Sequence, residues 1–115
     1  MRILVIDDER AILRVIERLL SRSGEHEIMT AESASDAFFL LANFRGTFGV
    51  ILCDVHMAGM DGPEFLARLS PLDAARVVFM TGGLHREGDE ERLAGRRIVM
   101  KPIDAAKLEA AIGTL

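Results

Sequence analysis

Three aspartates, a threonine and a lysine stand where short apolar runs end. Ile3–Ile6 leads straight into Asp7 and Asp8, Val50–Cys53 into Asp54, Val77–Met80 into Thr81, and Ile98–Met100 into Lys101. Any one of them fits a helix cap or the first residue of a loop, because polar residues commonly end strands. Three carboxylates, a hydroxyl and an ammonium at the ends of four runs make a chemical set instead. Carboxylates gathered in one crevice repel each other, and the pKa of some members rises unless a cation neutralises them. The candidate ligands are hard oxygens with no His or Cys clustered beside them, which suits Mg2+ better than zinc. Magnesium beside a lysine suits phosphoryl oxygens, since phosphoryl transfer is catalysed mostly by positioning and charge neutralisation. One aspartate of such a set can act as nucleophile.

These residues meet only if the runs that carry them lie side by side. Short apolar runs alternate with amphipathic stretches five times, a rhythm that implies βαβ units and a parallel sheet covered by helices on both faces. In an open parallel sheet the carboxyl ends of the strands share one edge, where ligands bind. The expected strands are Ile3–Ile6, Glu27–Ala31, Val50–Cys53, Val77–Met80 and Ile98–Met100. A first helix carries Ile12, Val15, Ile16, Leu19 and Leu20 on one face and stops near Gly24. Ser33 and Asp36 resemble a capping box ahead of Ala37, Leu40, Leu41 and Phe44. Pro63 suits the first turn of a third helix with Phe65, Leu66 and Leu69, and Asp104 caps a last one with Leu108, Ala111 and Ile112. Between Thr81 and the last strand, Gly82, Gly83, Gly88 and Gly95 lie among many charges. Any helix there is short, within Glu87–Ala94, and the segment is expected to be the most mobile of the chain. Phe38, Phe39, Phe44, Phe65 and Phe79 are expected in the core, His26 and His85 in solvent, and the charges from Arg86 to Arg97 on an exposed face.

The chain has 115 residues, half of them hydrophobic and 28% charged, a balance that fits one domain spanning residues 1–115 and argues against disorder. A net charge of −4 argues against nucleic acid as a partner, since Arg96 and Arg97 alone form no basic patch. Cys53 is the single cysteine, which excludes an intrachain disulfide and suggests a buried, inert thiol in a reducing compartment. The first apolar run ends at Ile6, too early for a signal sequence or a membrane span. The expected location is cytoplasmic, with no membrane contact.

IDDE at residues 6–9, DVHMAGMDG at 54–62, FMTG at 79–82 and MKP at 100–102 together resemble the receiver domains of two-component response regulators, over essentially the whole chain. The resemblance implies a flavodoxin-like (βα)5 fold with strand order 2-1-3-4-5. It implies that Asp54 accepts a phosphoryl group from a phosphohistidine on a histidine kinase or a histidine phosphotransfer domain. It makes Asp8 a direct magnesium ligand, Asp7 a ligand partly through water, and the backbone carbonyl of His56 the completion of the metal site. Thr81 matches the switch hydroxyl that follows the phosphoryl group, Lys101 the lysine that pairs with it, and Pro102 a proline preceded by a cis peptide. Such a domain is a signalling phosphoacceptor that assists its own phosphorylation and dephosphorylation, not an enzyme with a separate substrate.

Three features depart from that pattern. Ala58 stands where the family often has proline, so the loop after Asp54 is less rigid by sequence. Ile98 replaces the aromatic residue whose rotation usually reports phosphorylation, which shifts the expected response to residues 82–95. The segment between Thr81 and Lys101 is short and glycine-rich, and with VVFMTGG it resembles receivers attached to hybrid histidine kinases. Among rival readings, a pseudo-receiver that only binds partners conflicts with the complete acidic set. A flavodoxin needs a hydroxyl-rich phosphate loop and aromatic flavin partners, but Asp7-Asp8-Glu9 fills that position and the chain has no Trp or Tyr. A phosphatase of the haloacid dehalogenase type wants DxD where Asp7 and Asp8 are adjacent.

Overall fold

The computed structural model describes residues 1–83 and 87–113. In chain order the elements are β1 (Arg2–Ile6), α1 (Arg10–Ser21), β2 (Glu27–Ala31), α2 (Ala34–Asn43), β3 (Val50–Asp54), α3 (Gly62–Ala67), α4 (Pro71–Ala74), β4 (Val77–Thr81), α5 (Asp89–Arg92), β5 (Ile98–Met100) and α6 (Ala105–Gly113). The strands form one sheet in the order β2-β1-β3-β4-β5, with every pairing parallel. This is the flavodoxin-like order that the resemblance implies.

The strand period of two sorts the apolar residues into two layers. Leu4, Ile6, Ile51, Cys53 and Phe79 face a cluster with Ala34, Ala37, Phe65 and Leu66 of α2 and α3. Their neighbours Ile3, Val5, Leu52, Val78 and Met80 face Leu13, Ile16 and Leu20 of α1 and Leu108 and Ile112 of α6. Burying each of these large aliphatic side chains favours folding by about 1.5–3 kcal/mol. Because both faces are covered, β3 and β4 read as continuous apolar runs ending in Asp54 and Thr81.

Helix starts follow their caps. The Ser33 hydroxyl accepts the Asp36 amide at 3.1 Å, and Asp104 accepts the Lys107 amide at 2.8 Å. Asp61 accepts the Glu64 amide at 3.0 Å, with Pro63 in the first turn of α3. Gly24, at φ 71°, follows the end of α1 in a left-handed turn. Gly62 is required by contact: a Cβ there would lie 2.7 Å from the Asp54 carbonyl and 2.9 Å from the Phe79 ring.

Several expectations need correction. The third helix stops at Ala67, and a separate turn of helix, α4, follows because Ser70 caps it and Pro71 cannot continue its predecessor. The short helix expected within Glu87–Ala94 is present, as α5 at Asp89–Arg92. Phe39 is 67% exposed, since it sits on α2 opposite the buried Ala34 and Ala37. Phe48, not singled out by the sequence, is buried instead and stacks near Phe44, over which the Arg2 guanidinium lies. His26 is not solvated; its side chain is 7% exposed, with Glu109 at 3.8 Å. His85 and part of the segment expected to be mobile lie outside the described residues.

Candidate functional site

The parallel register carries the ends of β1, β3, β4 and β5 to one edge. Ile6 is level with Cys53, Asp54 with Met80, and Thr81 with Met100, so Asp7, Asp8, Asp54, Thr81 and Lys101 all emerge there. Ligand oxygens of Asp7, Asp8 and Asp54 lie within 4.8 Å of one another. Asp7 is fully buried and Asp54 nearly so, while Asp8 is exposed at the rim.

Lys101 enters the crevice from the end of β5, just before a cis Lys101–Pro102 peptide. Its ammonium donates to Asp7 Oδ2 at 3.1 Å and reaches Asp54 Oδ1 at 3.4 Å. The longer contact is at the limit of hydrogen bonding, so Asp7 is the principal partner. The other Asp7 oxygen accepts the Glu9 amide at 2.9 Å, and Asp8 Oδ2 accepts the Ala58 amide at 3.0 Å. Three carboxylates therefore face one ammonium.

That imbalance shows in the protonation of Asp54. Burial raises its pKa first, and the charge of Asp7 raises it further; Lys101 opposes both, and the result is about 6. Burial works against the charge of Lys101, but Asp54 and Asp7 outweigh it and hold the ammonium pKa above its ordinary value. Cys53, beside Asp54, is buried, and burial together with the charge of Asp54 pushes its thiol well up. A thiol so raised is inert.

Thr81 is fully buried. Its hydroxyl donates to the Gly83 carbonyl at 2.8 Å and accepts the Gly83 amide at 3.1 Å. The hydroxyl is thus engaged in its own loop, two residues from the strand end, and a bond to any group at Asp54 requires it to release Gly83. The His56 side chain is not part of the acidic group; its Nε2 lies 2.8 Å from Asp89 Oδ2. Asp89 corrects the picture of residues 86–97 as a solvated face, because its side chain is only 2% exposed. Arg92 grips Asp61 through both terminal guanidinium nitrogens, Nη2 at 2.8 Å and Nη1 at 2.9 Å. Against burial, those bonds hold the Asp61 carboxyl below its ordinary pKa. Asp61 stands in the sequence only as part of the 54–62 motif, and no apolar period, strand end or motif marks Asp89 or Arg92.

The donor set fits a hard divalent cation. It supplies carboxylate oxygens with one ammonium for three negative charges, and among the described residues no His or Cys side chain joins the group. Among the described residues no helix is long and apolar enough to cross a membrane.

Residues 3–113 match the family described as the response regulator receiver domain. The chain is 31% identical over 96% of its length to the transcriptional regulatory protein YvrH of Bacillus subtilis, of which it spans 46%. It is 30% identical over 94% of its length to the sensory/regulatory protein RpfC of Xanthomonas campestris, of which it spans 15%. The chain thus covers less than half of each of these relatives. Among solved structures it is similar to a response regulator receiver domain protein of Clostridium thermocellum, with a TM-score of 0.82, 30% identity, and coverage of 98% of this chain and 91% of that one. It is also similar to the receiver domain of the hybrid histidine kinase CckA, with a TM-score of 0.75, 28% identity, and coverage of 99% and 97%.

Proposed function

Because the chain belongs to the family of response regulator receiver domains, signalling domains of two-component systems, we propose that Asp54 accepts a phosphoryl group from a phosphohistidine donor in a magnesium-dependent reaction. The observation that carries this reading is the grouping of Asp7, Asp8 and Asp54 within 4.8 Å beside Lys101. Residues 1–115 are read as one receiver domain. The donor is a histidine kinase or a histidine phosphotransfer domain, in the cytoplasm.

Asp7, Asp8, Asp54 and the backbone carbonyl of His56 are the residues that would hold magnesium, which would supply charge neutralisation and orientation of phosphoryl oxygens. A pKa of about 6 leaves most Asp54 ionised at neutral pH, so an oxygen is available to attack the phosphorus of the donor. The new bond is carboxylate oxygen to phosphorus; the bond that breaks joins phosphorus to the imidazole nitrogen, which leaves with the electron pair. Lys101, already within 3.4 Å of Asp54, pairs with the oxygens of the transferred group. The Thr81 hydroxyl turns from Gly83 toward it and draws residues 82 and 83 along.

Ile98 supports a response centred on that loop. It is half-buried on β5 and packs against the cluster that holds Leu93, and it has no ring to swing into space vacated by Thr81.

Acid-labile phosphate uptake from acetyl phosphate, with and without magnesium, tests the assignment. Wild type is expected to incorporate phosphate only with magnesium, and Asp54→Asn to keep the fold and incorporate none. Equal uptake by the variant removes Asp54 from the reaction. Absence of uptake by wild type leaves a pseudo-receiver that works through protein contacts alone.

A further inference from the structure

Two contacts tie the loop after Asp54 to the helix after Thr81. His56 Nε2 meets Asp89 Oδ2 at 2.8 Å, and Arg92 holds both oxygens of Asp61. Asp89 and Arg92 are three residues apart, so both side chains leave α5 on one face. A carboxylate as buried as Asp89 needs hydrogen bonds, and His56 Nε2 lies within hydrogen-bond distance of it. The Arg92–Asp61 contact is of the bidentate kind, the more directional form of ion pair.

Loop 55–61 is therefore held toward α5 near both ends. Its middle is held on the other side, where the Ala58 amide donates to Asp8, and its base closes through the Gly62 amide on the Val55 carbonyl at 2.9 Å. The backbone supplies little stiffness of its own, with Ala58 followed by Gly59 at φ 74°. Side-chain contacts must fix the loop instead, and α5 provides two of them.

We propose that Asp89 and Arg92 are positioning residues, which hold His56 and Asp61 so that loop 55–61 is fixed against the acidic crevice. Occupancy of that crevice and the placement of residues 88–92 then bias each other by the same factor, as linkage demands. The ligand side of this coupling rests on the magnesium reading above; the holding of the loop does not. It gives the signal a second path from Asp54 to α5, beside the Thr81–Gly83 loop.

Amide exchange in metal-free protein and calorimetric titration with magnesium test it on wild type, Asp89→Ala, Arg92→Ala, and the conservative Asp89→Asn and Arg92→Lys. Exchange at Ala58 and Gly62 is expected to quicken about tenfold in both alanine variants while Leu4 is unchanged, with recovery toward wild type in Asp89→Asn. Magnesium affinity is expected to fall about tenfold, as for residues that orient metal ligands indirectly. Arg92 is 40% exposed, so Arg92→Ala decides the matter if Asp89→Ala does not fold. Unchanged exchange at Ala58 and Gly62 in Arg92→Ala overturns the proposal, and so does faster exchange with wild-type magnesium affinity. A wild type that binds no magnesium overturns the metal reading instead, and exchange alone then decides whether α5 positions the loop.

Discussion

Replacing Asp54 by asparagine should stabilise the metal-free protein, although it removes the residue on which the proposed chemistry depends. Asn has the same shape and lacks the charge that Asp7 and burial disfavour. The pKa of Asp54 is about 6 in the fold against an ordinary 3.8, a value already net of the pull from Lys101. About two pKa units correspond to about 3 kcal/mol. That figure is a ceiling, because the crevice opens to solvent at Asp8 and screening weakens the repulsion; about 1–2 kcal/mol is expected. The sign sets the pH window. A carboxyl whose folded pKa lies above its unfolded one is neutral in both states well below pH 3.8 and has no effect there. The penalty grows between about pH 4 and 6 and is complete above. Urea unfolding in EDTA should therefore show Asp54→Asn more stable than wild type at about pH 7.5, with the gap closing toward about pH 4. In saturating magnesium the order should narrow or reverse, since in the proposed metal site the cation would bind the folded state and use Asp54 as a ligand. A variant no more stable than wild type at neutral pH in EDTA, or a gap that ignores pH, refutes the electrostatic account of the crevice.

Lys101→Ala should retain magnesium binding but impair phosphate uptake, measured as above, because in the proposed reaction the ammonium pairs with phosphoryl oxygens rather than with the metal. The raised Lys101 pKa also means that its favourable charge is complete below the ordinary value of 10.5 and lost as pH rises through the folded value. Wild type should show this loss in alkaline unfolding titrations and the variant should not. Gly62→Ala should destabilise by about 1–3 kcal/mol, because the added Cβ meets the Asp54 carbonyl at 2.7 Å and backbone cannot rotate away; an unchanged urea midpoint would show that α3 shifts freely.

The apolar runs and their polar ends were legible in the sequence because a strand buried on both faces has no other composition. Val50–Asp54 and Val77–Thr81 announce themselves by their length and by the polar residue that closes each of them. The caps Ser33 and Asp104 were legible too, because their chemistry is local. The grouping of Asp7, Asp8, Asp54 and Lys101 came from one rule about parallel sheets, since residues at the carboxyl ends of neighbouring strands have nowhere else to be. Tertiary structure decided everything that depends on which surfaces meet. Phe39 and Phe48 have the same composition signal, yet only packing leaves the first exposed and buries the second. Asp89 looks like one charge in a solvated run, and it is buried because the chain places it against His56, 33 residues away in sequence. Arg92 and Asp61 are likewise paired, 31 residues apart in sequence. No period or motif encodes such contacts, because they arise from the mutual position of segments that local propensity leaves undetermined.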